Sequence, residues 1–138
     1  MQMALQSILL IDDDDSIRRI AELTLSSLGH FQVWAARSGK EGLEKLNEVT
    51  PDLIILDVMM PVMDGPTVLS HIKANPLTAS IPVVFMTAKI QKHEMATYSG
   101  LGISGIITKP FEVDEICDTL RKIYDDAKAS RTTCGVTT

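Results

Sequence analysis

The sequence predicts an α/β fold, a doubly wound five-stranded parallel sheet with five helices. Three observations carry this. Five short apolar runs rich in Ile, Val and Leu recur along the chain, segments with helical spacing separate them, and four of the five runs end in polar or charged residues. Short runs with little polar alternation are how strands buried on both faces of a parallel sheet read. Regular strand–helix alternation implies crossover connections and a doubly wound sheet.

The first run, Ser7–Asp12, leads into a helix with Ile17, Ile20, Ala21 and Leu28 on one face, ended by Gly29. Asp14 and Asp15 fall where acids favour a helix N-terminus. The second run, Phe31–Ala36, is the most mixed and belongs near a sheet edge. Ser38 and Glu41 have the spacing of a capping box for the helix marked by Leu43 and Leu46. The third run, Asp52–Asp57, precedes a helix that Pro66 can open and Val68, Leu69 and Ile72 pack. The fourth, Ile81–Thr87, precedes a weaker helix marked by Met95, Tyr98 and Ser99. The fifth, Ile103–Thr108, precedes a clear stripe of Val113, Ile116, Cys117, Leu120 and Ile123. One domain over residues 1–126 accounts for all of this, and residues 127–138, small and polar, read as a flexible tail.

With 45% hydrophobic and 22% charged residues, 138 residues suffice for a core without disulfides or metals. A net charge of −5 argues against direct nucleic-acid binding by this domain, which needs a basic face. The apolar stretch Ile8–Ile11 is cut off by Asp12, far short of the roughly 20 residues of a membrane span. A basic, cleavable leader is not visible. Cys117 and Cys134 lack metal-type spacing and fit a reducing cytoplasm, with Cys117 a small buried hydrophobe.

The chemistry gathers at the carboxyl ends of the runs, where open parallel sheets bind ligands. The first ends in Asp12 and Asp13, the third in Asp57, the fourth in Thr87, and the fifth runs into Lys109-Pro110. If the strand order is 2-1-3-4-5, Asp12, Asp13 and Asp57 converge, with Thr87 and Lys109 along the rim. Two carboxylates about 4 Å apart repel by on the order of 4 kcal/mol at an effective dielectric of 20. Such a group takes up a proton or a cation. Mg²⁺, which favours carboxylate oxygens and keeps several waters, is the natural one. Asp57 can then attack phosphorus to give an aspartyl phosphate, with Lys109 offsetting charge and Thr87 donating a hydrogen bond.

The sequence resembles the receiver domains of two-component response regulators over nearly all of the regular unit. The residues that carry the resemblance are Ile11-Asp12-Asp13 with Arg18, Leu56-Asp57-Val58-Met59-Met60-Pro61, Met63-Asp64-Gly65, Thr87-Ala88 and Lys109-Pro110-Phe111. It implies a flavodoxin-like fold and a phosphoacceptor role for Asp57. It implies Mg²⁺ held by Asp13, Asp57 and the Met59 backbone carbonyl, with Asp12 acting through a metal-bound water. Thr87 and Lys109 would bind phosphoryl oxygens, and the Lys109–Pro110 peptide would be cis. The donor would be a phosphohistidine of a sensor histidine kinase or a histidine phosphotransfer protein. The output partner or dimer mate would use the face built from the fourth helix, fifth strand and fifth helix. Such a protein is a signalling switch that catalyses only its own phosphorylation and dephosphorylation.

Two departures stand out. Receivers often carry an aromatic residue three positions before the lysine, where this chain has Ile106. The positions that tune phosphoryl lifetime hold Met59 and Lys89, and Met59 cannot orient a hydrolytic water. Rival readings fit less well. A haloacid-dehalogenase-type phosphatase needs a second Asp where Met59 stands. A flavodoxin needs a hydroxyl- and glycine-rich loop where Asp12–Asp15 stand. A Ca²⁺ loop would need Gly and Glu where Ile17 and Leu23 stand. A degenerate receiver would lack part of the intact Asp12, Asp13, Asp57, Thr87 and Lys109 set. Met60 reads as core filler and Trp34 as packing, and the scattered His30, His71 and His93 suit surface roles.

Overall fold

Strand β1 (Ser7–Ile11) sits inside a sheet ordered β2-β1-β3-β4-β5, with β2 at Gln32–Ala36, β3 at Leu53–Asp57, β4 at Val83–Thr87 and β5 at Gly105–Thr108. The computed structural model describes residues 4–88 and 92–137. All four strand pairings are parallel, with Leu9 opposite both Trp34 and Ile54, and Leu56 opposite Phe85. The polar residue before Leu53 lies outside β3. There the Asp52 carboxylate accepts the Gln6 and Ser7 amides at 3.0 and 3.1 Å, tying the entry of β1 to that of β3.

Successive strand residues point to opposite faces, so each strand feeds two cores. Ile8, Leu10, Leu53, Ile55, Val84 and Met86 pack on one side against Ala21 and Leu25 of α1 (Asp15–Ser27) and Ile116, Cys117 and Leu120 of α5 (Ile116–Thr137). Leu9, Ile11, Ile54, Leu56, Val83 and Phe85 pack on the other. Their partners are Val68, Leu69 and Ile72 of α3 (Gly65–Ala74), Leu43 of α2 (Gly39–Lys45) and Tyr98 of α4 (Lys92–Ser99). Trp34 is packed against this second cluster and Met60 belongs to it.

The helix starts follow local chemistry. The Asp14 side chain caps α1 by accepting the Ile17 amide at 3.0 Å. Ser38 Oγ accepts the Glu41 amide at 3.0 Å, and the Glu41 carboxylate reaches back to the Arg37 amide at 3.2 Å. Asp64 caps α3, with Pro66 in its first turn.

Several expectations are corrected. The buried stripe of α1 is Ala21, Thr24 and Leu25, while Ile20 and Leu28 are exposed: Ile20 lies to one side of that stripe by helical periodicity, and Leu28 is the C-cap, beyond the last helical residue, Ser27. The positive φ after α1 falls on His30 (59°), not on Gly29. A Cβ on Gly29 would lie 2.6 Å from the Phe31 ring, so this glycine makes room for packing. Helix α5 begins at Ile116, leaving Val113 exposed in the preceding turn. It continues past Asp126 to Thr137, so the segment expected to be a flexible tail is helical through residue 137. Lys128 also lies over the Tyr124 ring, 5.3 Å from its centroid.

Candidate functional site

Asp12 follows the last residue of β1 and is fully buried. Its amide donates to Ala36 O of the edge strand at 3.0 Å. Its Oδ1 accepts the Asp14 amide at 2.9 Å, and its carbonyl accepts Arg18 Nη1 at 2.9 Å. Arg18 also pairs with Asp15. The acidic loop is thus fastened from the helix side by one guanidinium. Asp57, the last residue of β3, is buried at 3% exposure. Its Oδ1 accepts the Met59 amide at 3.3 Å. Asp13 is exposed at the mouth.

Oxygens of Asp12, Asp13 and Asp57 all lie within 4.8 Å of one another. Lys109 reaches in from the end of β5, where its amide donates to Thr87 O at 2.8 Å. Its Nζ stands 2.9 Å from Asp12 Oδ2 and 3.2 Å from Asp57 Oδ1. The Lys109–Pro110 peptide is cis. Asp13, Asp57, Met59, Thr87 and Lys109 line one cleft of about 790 Å³, with Asp12 beneath it. The predicted residues therefore come together as the sheet order requires.

Burial is the main force on Asp57. With the Asp12 charge it pushes the carboxyl up to about 7, and Lys109 only partly opposes this. Burial also pulls the Lys109 ammonium down, but Asp12 and Asp57 together outweigh it and hold its pKa above the usual value. One ammonium thus balances two buried carboxylates incompletely. Among the described residues Asp12 Oδ2 accepts no hydrogen bond of good geometry, although Lys109 is near. Converging hard oxygen donors, one buried and unsatisfied, fit a Mg²⁺ ion with retained waters.

Sequence reasoning missed two lining residues. Glu94 and Tyr98 of α4 border the same cleft. Their i, i+4 spacing places both on one helix face, which was the available signal. The Tyr98 ring meets Phe85 edge-on, centroids 5.3 Å apart at 83°, and its hydroxyl donates to Glu94 Oε2 at 3.4 Å. Ile106 is half-buried against the core cluster that holds Phe85. Lys89, the second lifetime position, lies outside the described residues, as does the side chain of His93.

A five-stranded parallel sheet with an acidic triad, a hydroxyl and a lysine at its carboxyl edge defines the class to which the sequence also points. Residues 8–121 match the response regulator receiver domain family, and the chain belongs to that family. It is a receiver domain of the two-component type, a family of signalling switches whose general chemistry is phosphoryl transfer and which generally uses Mg²⁺.

The chain is 40% identical over 106 residues to transcriptional regulatory protein AfsQ1 of Streptomyces coelicolor, covering 77% of this chain and 45% of that protein. It is 35% identical over 116 residues to the DNA-binding dual master transcriptional regulator RpaA of Synechocystis, covering 84% and 48%. Among solved structures it is similar to chemotaxis protein CheY4 of Vibrio cholerae, with a TM-score of 0.81, 29% identity, and coverage of 87% of this chain and 99% of that one. The chain spans about half the length of the curated relatives it matches (45%, 45% and 54%). Among the described residues no helix is long and apolar enough to cross a membrane.

Proposed function

We propose that Asp57 is the phosphoacceptor of this receiver and takes its phosphoryl group from a phosphohistidine on a sensor histidine kinase or a histidine phosphotransfer protein. The observation that supports this most is the position of Lys109 Nζ, within 3.2 Å of both Asp57 and Asp12 at the floor of a cleft open to a donor. Asp13, Asp57 and the Met59 backbone carbonyl would hold Mg²⁺ directly, with Asp12 acting through a bound water. The ion, when bound, neutralises the carboxylates and the charge on the transferring group.

The protein's own residues do the rest. An Asp57 oxygen attacks phosphorus in line with the departing imidazole. Lys109 leaves the Asp12–Asp57 pair to contact a phosphoryl oxygen, and the Thr87 hydroxyl donates to another. The chain catalyses only its own phosphorylation and dephosphorylation. The new charge draws Thr87 toward the phosphoryl group and shifts the α4–β5–α5 face, which engages an output partner or dimer mate. With its net charge of −5 the domain binds no nucleic acid directly, and its setting is the cytoplasm.

Exposure to acetyl phosphate or phosphoramidate with Mg²⁺, followed by intact mass, tests the reading. The wild type gains one phosphoryl group, and chelation or Asp57→Ala abolishes the gain. Equal gain by Asp57→Ala overturns the assignment.

A further inference from the structure

Among the described residues that line the cleft, four carboxylates besides Asp57 (Asp13, Asp14, Asp15 and Glu94) face one ammonium, that of Lys109. Asp12 and Asp57 already engage that ammonium from below. Three of the four carboxylates belong to the loop and first turn after β1. Glu94 alone comes from the far wall, from α4. Its placement there has a visible cause in Tyr98. The Tyr98 ring stands edge-on to Phe85, a fully buried β4 residue two positions before Thr87, and its hydroxyl holds Glu94 Oε2. The strand that carries Thr87 therefore also fixes the wall that carries Glu94.

A carboxylate at that place acts on the leaving group, which must depart through the mouth as Asp57 attacks from below. With protonated phosphoramidate the O–P bond to Asp57 forms as the P–N bond breaks. The electron pair returns to nitrogen, and ammonia leaves neutral from what was a cationic end. With acetyl phosphate the P–O bond breaks, and acetate carries off the pair and a full negative charge. A negative wall attracts the first donor's cationic end and repels the second's developing charge. Resting on the reading of Asp57 as phosphoacceptor, we propose that Glu94, positioned by Tyr98, makes this receiver select donors by leaving-group charge. It favours nitrogen-linked phosphoryl donors with a cationic end over acyl phosphates.

The test is the ratio of phosphorylation rates with phosphoramidate and acetyl phosphate at saturating Mg²⁺, by intact mass of timed quenches. It is read for wild type, Glu94→Gln, Glu94→Lys and Tyr98→Phe. One charge near the mouth changes a rate by about three- to fivefold at low salt. Glu94→Gln lowers the ratio by about that factor, chiefly by faster reaction with acetyl phosphate, and Glu94→Lys lowers it further. Tyr98→Phe keeps the ring and loses the hydroxyl, and moves the ratio the same way by less. Raising ionic strength brings the wild-type ratio toward that of Glu94→Gln. A purely structural role would slow both donors together and would follow neither charge nor salt. An unchanged ratio in Glu94→Gln and Glu94→Lys overturns the proposal, and a wild-type ratio in Tyr98→Phe overturns the part given to Tyr98. Wild type that gains no phosphoryl group from either donor overturns the reading of Asp57 instead.

Discussion

Gly65 lies directly over the end of the strand that carries Asp57. A Cβ at position 65 would stand 2.8 Å from Asp57 O and 2.8 Å from Val58 Cα, and the Gly65 amide donates to Val58 O at 2.9 Å. Both colliding atoms are backbone, so no side chain can turn aside. The start of α3 and the end of β3 meet at a distance only glycine permits.

Gly65→Ala is therefore expected to destabilise the fold by about 2 kcal/mol, through displacement of α3 or of the Asp57 carbonyl. Chemical denaturation measures the loss, and Mg²⁺ affinity should fall with it. A variant within 0.5 kcal/mol of wild type, roughly the span of neutral surface changes, would show that the contact yields freely.

The raised pKa of Asp57 makes stability depend on pH when Mg²⁺ is absent. In the unfolded chain the carboxyl titrates near 3.8, and in the folded protein near 7. The folded state thus holds a proton that the unfolded state has released, and stability falls as pH rises from about 4 to about 7. At 1.36 kcal/mol per unit the full loss is on the order of 4 kcal/mol at most, and about 2 kcal/mol is expected after relaxation. In chelator at pH 8, Asp57→Asn should be the more stable protein and should lack this slope. Saturating Mg²⁺ should restore the wild type at that pH. Parallel stability curves for the two proteins in chelator would contradict the electrostatics described here.

Val62 has φ of 69° and a fully exposed side chain (108%), and the Met63 amide donates to Pro61 O at 2.7 Å. This is a positive-φ γ-turn, rare and strained, on a β-branched residue that buries nothing in return. Val62→Gly relieves the strain and gives back some unfolded-state entropy. A net gain of about 0.5–1 kcal/mol is expected from thermal or urea unfolding. A loss of stability would mean that the turn is not strained.

Met59 is 75% exposed beside the Asp57 carboxylate and carries no polar atom able to orient water. Met59→Asn is expected to shorten the aspartyl-phosphate lifetime several-fold, followed as loss of phosphoryl mass after donor removal. An equal or longer lifetime would count against a role for this position.

Much of this was legible in the sequence because buried parallel strands leave an unmistakable apolar run. Ser7–Ile11, Leu53–Asp57 and Val83–Thr87 are such runs, and the polar residue that ends the run, or in the first case directly follows it, is the site residue. What was less legible depends on tertiary packing. Ile20 and Leu28 have the composition of a core face, yet α1 turns Ala21, Thr24 and Leu25 to the sheet, leaving Ile20 to one side and ending before Leu28. Val113 continues the spacing of α5 but precedes its first turn. Glu94 and Tyr98 sit on a helix with little amphipathic pattern. Their place beside the cleft follows from the edge-on contact of Tyr98 with Phe85, which packs α4 on the preceding strand and which no sequence period marks.

The most direct test of the central claim is where the phosphoryl group resides. After reaction with phosphoramidate and Mg²⁺, borohydride reduction turns an aspartyl phosphate into homoserine, and peptide mass spectrometry then locates it. The expected result is homoserine at position 57 alone. Reduction at Asp12 or Asp13, or a phosphoryl group that survives reduction on a histidine or hydroxyl side chain, would contradict it.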